Sequence, residues 1–333
     1  MAYAKSVLQR AAARLEQARL QNEREADQRI AAIYQKVPRL QDIDRQLRRT
    51  SAKICAAAFR ANEPVEVAIA RLKEENLALQ REREWLLESE SIAPEDLERT
   101  PVCQLCGGSG YRGAVMCECL RELCRQEQKK ALAQAFGAGW SSFDRFRLDV
   151  YSRQYEEKLH TSPYILMQHV HQNALTYART FGVESPSLLF MGATGLGKTL
   201  LSGCIARVVA DRGFSVCYAA AGKLFSDFET EKFRIKEDGA LTAEYFESDL
   251  LIIDDLGTEM TTQFTVSALY QIINDRLRAA RPTIVSTNLP DKELEPRYSA
   301  QIASRLLGAY ELYQFCGSDV RMRLKAEQNR ASS

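Results

Sequence analysis

The chain has 333 residues, a formal net charge of +1 and 45% apolar residues. That length allows two domains and at least one sizeable core. The near-neutral balance excludes a global pull toward nucleic acid, so any such site must be a local patch.

No apolar run approaches the length of a membrane span. The stretch MAYAKSVLQRAAARLEQ lacks the uninterrupted apolar region of a signal peptide. Nine cysteines is an odd count, and five of them fall between Cys103 and Cys124. That clustering points to metal binding in a reducing compartment rather than to a disulfide framework. The expectation is a cytoplasmic protein with no membrane partner.

Residues 1–92 are rich in Ala, Arg, Glu, Gln and Leu, a composition that favours long helices. Ile30, Ile33, Val37, Leu40 and Leu47 recur at spacings that form an apolar stripe for helix packing. Val65, Ile69, Leu72, Leu79 and Leu86 form a second, with Asn76 and Arg83 as polar seam positions. Pro38 and Pro64 punctuate the region into at least three helices. It is either a self-contained bundle or a partner-binding region.

Residues 93–125 change character. Cys103-Gln-Leu-Cys106 opens a C-x-x-C-x-G-x-G knuckle, and Cys117-Glu-Cys119 follows after ten intervening residues. Four thiolates in two close pairs can close a tetrahedral Zn²⁺ site of structural type. The first pair resembles half a cysteine-rich repeat of the DnaJ-type chaperones, whereas the second departs from it as C-x-C. Cys124 is the alternative fourth ligand to Cys119. Residues 120–139 read as a charged helix and Trp140-Ser-Ser-Phe143-Asp-Arg-Phe146 as an extended stretch with aromatic anchors, residues 126–160 together forming a linker. His169 and His171 are two apart on a helix and do not face one ligand, so the histidines read as packing or surface residues.

From residue 161 the chain reads as an α/β domain. Strands are expected at Leu188–Met191, Val216–Ala220, Leu250–Asp254, Thr283–Thr287 and Tyr313–Cys316, with helices between. Apolar strands joined by crossover helices imply a parallel sheet covered on both faces, with ligands at the carboxyl ends of its strands.

The stretch SLLFMGATGLGKTLL carries the phosphate-binding spacing G-x-x-x-x-G-K-[ST] between a strand and a helix. Gly192, Gly195 and Gly197 let the backbone turn its N–H groups toward phosphate oxygens. Leu196, Lys198, Thr199 and Leu200 complete the nucleotide contacts at the helix start. Lys198 reaches the β- and γ-phosphates of ATP, and the Thr199 hydroxyl ligates Mg²⁺.

The third strand delivers Asp254 and Asp255 at its tip, a Walker B pattern. Asp254 holds Mg²⁺ and Asp255 orients or deprotonates the attacking water. Glu259 is a further acid nearby. Asn288, at the fourth strand's tip, is placed to meet the γ-phosphate or that water. Arg281, Arg297 and Arg305 are candidate phosphate contacts, and Arg305 lies on a helix. An arginine offered to a neighbour's γ-phosphate would couple ATP to self-association. Arg321 and Arg323 are candidates to act in cis.

This motif order, with LLIIDDLG, STNLP, an S-R-L helix and a late G-x-D-x-R, resembles the AAA+ family. It is most similar to the DnaC/DnaI-type helicase loaders and their relative IstB, the transposase-helper ATPase. The resemblance spans about residues 140–325. It implies that Asn288 is sensor 1, Arg305 the arginine finger and Arg321 sensor 2. The knuckle is similar to loader variants with a zinc-bearing amino-terminal region and is not expected of IstB-like proteins. Asp255 stands where most AAA+ proteins have Glu, which implies slow hydrolysis. The chain closes soon after Arg321, so the family's helical lid is expected to be short or missing.

Between the second strand and Walker B, Phe225, Phe228 and Phe233 interleave with Lys232, Arg234 and Lys236. Bases stack on aromatics while cations track the backbone, so Phe225, Lys232, Arg234 and Lys236 are the candidates for single-stranded DNA. The spacing of Phe225 and Phe228 equally fits an inward-packing helix.

The resulting expectation is a P-loop AAA+ sheet flanked by helices (residues 161–333). A helical partner-binding region (1–92), a zinc-binding knuckle (93–125) and a linker (126–160) precede it. The implied function is ATP-dependent loading of a replicative hexameric helicase onto single-stranded DNA. The cofactors are ATP, Mg²⁺ and Zn²⁺, and the ATPase domains self-associate. The alternatives are an IstB-like transposase helper and, given Asp255, a nucleotide-binding scaffold that needs no turnover.

Overall fold

The computed structural model describes residues 3–57, 65–233, 241–323 and 325. The chain divides into two compact units, residues 12–120 and residues 1–11 with 121–333.

The first unit is built on long helices. These are α1 (Lys5–Lys36), which runs into it, α2 (Pro38–Ala57) and α3 (Val65–Ser89). Pro38 opens α2, a position where proline's missing N–H goes unused. Val37, Leu40 and Leu87 are buried together, with Ile33, Tyr34 and Leu86 packed around them. The polar seam is put to use. Arg83 Nε donates to Asp44 Oδ1 at 2.7 Å, and Tyr34 Oη donates to Asp44 Oδ2 at 2.7 Å. A half-buried pair of this kind contributes register more than stability. The apolar stripe of α3 is not fully covered, and Ile69 is 40% exposed. The unit closes with a small antiparallel hairpin, β1 (Tyr111–Arg112) and β2 (Val115–Met116).

The second unit starts from α4 (Glu118–Phe136). Residues 137–160, read from sequence as the later part of a linker, form short 3-10 turns. Their Phe143, Phe146, Val150 and Tyr151 are buried in the core. There follow α5 (Pro163–Thr180), β3 (Ser187–Met191), α6 (Lys198–Asp211), β4 (Val216–Ala220), α7 (Ala221–Phe233), α8 (Ala243–Glu247) and β5 (Leu250–Leu256). The domain ends with α9 (Gln263–Arg278), β6 (Thr283–Thr287), α10 (Asp291–Arg297), α11 (Ala300–Ala309) and β7 (Tyr310–Gln314). Ser162 caps α5, its hydroxyl accepting from Ile165 N at 3.3 Å, with Pro163 next.

The five longer strands form one sheet in the order β4-β5-β6-β3-β7, with every neighbouring pair parallel. Alternation divides the side chains between the two faces. Leu188, Phe190, Leu250 and Ile252 enter the core under α5 and α6, whereas Leu189, Met191, Leu251 and Ile253 enter the core on the other face. The last strand starts three residues earlier and ends two residues earlier than the sequence suggests. As an edge strand beside β3 it buries Tyr310 and Tyr313 and leaves Leu312 55% exposed, so its apolar run is not continuous. Among the described residues no helix is long and apolar enough to cross a membrane.

Candidate nucleotide and metal sites

The sheet order sets β3 beside β6, and β6 beside β5. The tips of these three strands carry the phosphate loop, Asn288, and the pair Asp254 and Asp255. Gly192, Gly195 and Gly197 have φ of 151°, 82° and 89°, values that a side chain disfavours. At Gly192 a Cβ would lie 2.5 Å from Phe315 O. The loop is also braced from behind. Buried Tyr151 donates its hydroxyl to Leu196 O at 2.9 Å.

Lys198 is 5% exposed. Its ammonium donates to Gly192 O at 2.6 Å, Ala193 O at 2.9 Å and Asn288 Oδ1 at 2.6 Å. Burial lowers its pKa to about 8, against the opposing pull of Asp255 and Asp254. All three ammonium protons are therefore engaged by neutral acceptors, which a phosphate would replace. Thr199 and Leu200 follow on the first turn of α6, with Gly197 at its N-cap.

Asp254 is 2% exposed and held at both oxygens. Ser286 donates to Oδ1 at 2.5 Å and Tyr218 donates to Oδ2 at 3.1 Å. Each oxygen keeps a further lone pair for a cation or its water. The β5–β6 pairing shifts register between Ile253 and Leu256. Asp255 sits in that bulge with φ 55°, and its N–H donates to Ser286 Oγ at 2.9 Å. The bulge brings a second carboxylate to the same strand tip. Burial and then Asp254 raise the pKa of Asp255, which Lys198 and Arg321 partly offset. A carboxylate shifted upward is better suited to accept a proton from water.

The other predicted residues are dispersed. Arg305 donates to Asn274 Oδ1 and Tyr270 Oη at 3.2 Å each and to Gln301 O at 3.1 Å, and lies 4.7 Å over the Tyr270 ring. Those partners lie on α9 and α11, and none of them belongs to the phosphate loop. Arg281 donates to Phe246 O at 2.7 Å and Arg297 to Glu259 O at 2.6 Å, so both tie backbone segments together. Glu259 accepts from the Tyr298 hydroxyl and from Gly257 N–H, bracing the turn after β5. Arg321 is exposed, and its charge bears on both Lys198 and Asp255.

Phe225 is corrected by the structure. It is 3% exposed within the core of α7 and the sheet, so its ring is spent on packing and is not presented to a base. Lys232 is exposed on α7, 5.0 Å over the Phe264 ring. Arg234 and Lys236 lie outside the described residues.

In the first unit the Sγ atoms of Cys103, Cys106, Cys117 and Cys119 all lie within 4.8 Å of one another. Cys103 and Cys117 are 3.9 Å apart, and Cys106 and Cys119 3.5 Å. A tetrahedral zinc with arms of about 2.3 Å needs sulfurs about 3.8 Å apart, so the set fits such an ion. Although burial disfavours its thiolate, Gly110 N–H at 3.3 Å and the neighbouring donors bring Cys106 down to about 6. Cys119, not Cys124, completes the group.

Several contacts at the nucleotide site are not legible in the motifs. Tyr218 and Tyr151 reach it through tertiary packing alone, whereas Asp319 is the acid of the late G-x-D-x-R, a motif that does not say which part of the loop it meets. Ser286 carried a faint signal, two residues before Asn288 on the same strand.

A phosphate loop after the first strand, paired acids on a neighbouring tip and a polar amide between them define a P-loop nucleotide-binding domain of AAA+ type. Residues 171–323 match the family described as IstB-like ATP binding protein. The helicase loader DnaC of Escherichia coli K12 is 27% identical over 140 residues, 40% of this chain and 57% of that protein. An ATP-binding protein of a Mycobacterium tuberculosis insertion sequence is 29% identical over 102 residues, 31% of this chain and 40% of that protein. The chain thus spans about half the length of the curated relatives it matches. The DnaC helicase loader crystal structure resembles 52% of this chain and 98% of its own, at 19% identity and a TM-score of 0.44. The DnaI crystal structure resembles 58% of this chain at 17% identity, also with a TM-score of 0.44. The part of the chain these matches cover is thus similar to IstB-like ATP-binding proteins and to DnaC.

Proposed function

We propose that the protein is an ATP-driven loader of a replicative hexameric helicase onto single-stranded DNA. The observation that carries the nucleotide switch is the bond between Lys198 and Asn288, with Asp254 and Asp255 at the adjacent tip. The phosphate loop binds ATP, and Thr199 and Asp254 would hold Mg²⁺. Magnesium, when bound, supplies charge compensation at the phosphates. Asp255 orients or deprotonates water, with its raised pKa suited to the task. Asn288 exchanges its bond to Lys198 for one to phosphate or water. Arg305 serves a neighbouring copy as the arginine finger, and Arg321 reads the nucleotide in cis. The helical region grips the helicase, the cysteine knuckle holds zinc as a structural ion, and Lys232 with Arg234 and Lys236 meets single-stranded DNA. The setting is the cytoplasm.

Similarity to DnaC and the additional helical and cysteine-bearing unit support this reading. Co-purification of the full chain with a replicative helicase tests it. ATP-dependent capture that Lys198→Ala abolishes is expected, and absence of capture with zinc and ATP present would overturn it.

Similarity to the insertion-sequence protein supports a second reading, a transposase helper. It requires ATP-dependent binding to a transposase and to duplex DNA. Capture of transposase in place of helicase would decide for it.

A further inference from the structure

Beyond β7 the chain runs back along the phosphate loop. Phe315 N–H donates to Met191 O at 2.7 Å, extending the pairing of β7 with β3. Val320 N–H then donates to Gly195 O at 3.0 Å, and Arg323 donates to Val150 O. Residues 315–323 therefore form a strap fastened to the loop and to the turns beside it.

The residue this strap sets against the loop is acidic. A Cβ built on Gly195 would lie 2.2 Å from Asp319 Oδ1, so the carboxylate is in direct contact with the glycine. Asp319 Oδ1 also accepts from Arg321 N at 2.9 Å and Met322 N at 3.2 Å, capping the last turn. No lysine or arginine among the described residues forms an ion pair with it. A negative charge is thus fixed at the loop whose backbone N–H groups are assigned to anionic phosphate. Capping alone does not call for that charge, since Ser or Asn would cap as well.

We propose that Asp319 is a specificity-determining residue of the nucleotide site, opposing polyphosphate in proportion to its charge. Phosphate entry then requires the strap to draw back from Gly195. Arg321, two residues along, moves with it, which links the position of that cation to occupancy of the loop. This inference rests on the reading of residues 192–200 as the ATP site.

The test is Asp319→Asn in the full chain, with dissociation constants measured for ATP, ADP and adenosine. The amide keeps the cap and the shape and removes the charge. Like charges about 4 Å apart predict roughly 5-fold tighter ATP binding where water screens them fully and up to about 1,000-fold at the effective dielectric of a protein surface, a smaller gain for ADP and none for adenosine. The gain should shrink with added salt. Asp319→Ser, which also caps, should repeat the pattern. ATP bound equally by wild type and both variants, or a gain shared by adenosine, overturns the role of Asp319 alone. ATP bound by none of them, or undiminished by Lys198→Ala, overturns the site reading and this inference with it.

Discussion

Lys198 offers a proton-linked test of the nucleotide site. Its ammonium is 5% exposed and bonded to two backbone carbonyls and the Asn288 amide oxygen. Burial lowers its pKa to about 8. The shift is downward for a base, so its charged form costs stability in the ligand-free protein. That cost is fully present below pH 8 and fades as pH rises toward the unfolded value near 10.5. A phosphate beside Lys198 restores its preference for charge, so ATP binding must take up a proton wherever the free protein has lost one. With a free-protein pKa of about 8, roughly three-quarters of a proton is taken up at pH 8.5 and about a tenth at pH 7. Affinity for ATP should then fall by up to about tenfold per pH unit above pH 8. Isothermal titration calorimetry in buffers of different ionisation enthalpy counts these protons. A heat at pH 8.5 independent of the buffer would refute the reasoning.

Other consequences follow from buried groups and from the cysteine cluster. Arg276 is 1% exposed and donates to Tyr245 O, Ser248 O, Pro282 O and Thr283 Oγ1. Arg276→Ala leaves those acceptors buried and unmet and should cost about 3–5 kcal/mol, read as a lower urea midpoint with an unchanged slope. Metal analysis of protein purified without chelator should find one zinc per chain, and Cys106→Ser should lose it with a lower melting temperature. Phe225→Ala should cost about 3–5 kcal/mol of stability because its ring is core. Lys232→Ala should leave stability within about 0.5 kcal/mol and lower the salt dependence of single-stranded DNA binding by about one phosphate contact.

Sequence alone was enough for the parts of this protein governed by local rules. The phosphate loop needs glycines at fixed spacing because its backbone must turn within a few residues, so the motif is contiguous and readable. Four of the five strands were readable because parallel strands buried on both faces are nearly continuous apolar runs. The edge strand β7 escaped that rule, since one side of it faces solvent and its run is broken by Glu311. The four cysteines were readable as a set because metal ligation imposes short pairwise spacings.

Tertiary structure decided what those rules leave open. Lys198 and Asn288 are far apart in sequence and meet only because β6 is inserted between β3 and β5. Tyr218 and Ser286 hold Asp254 because their strands flank β5. Phe225 could have faced a base or the core with the same spacing, and packing against the sheet chose the core. Asp319 reads in the chain only as the acid of the late G-x-D-x-R. Only the course of the strap along the phosphate loop sets its charge against Gly195, because electrostatic contact depends on distance in space and not along the chain.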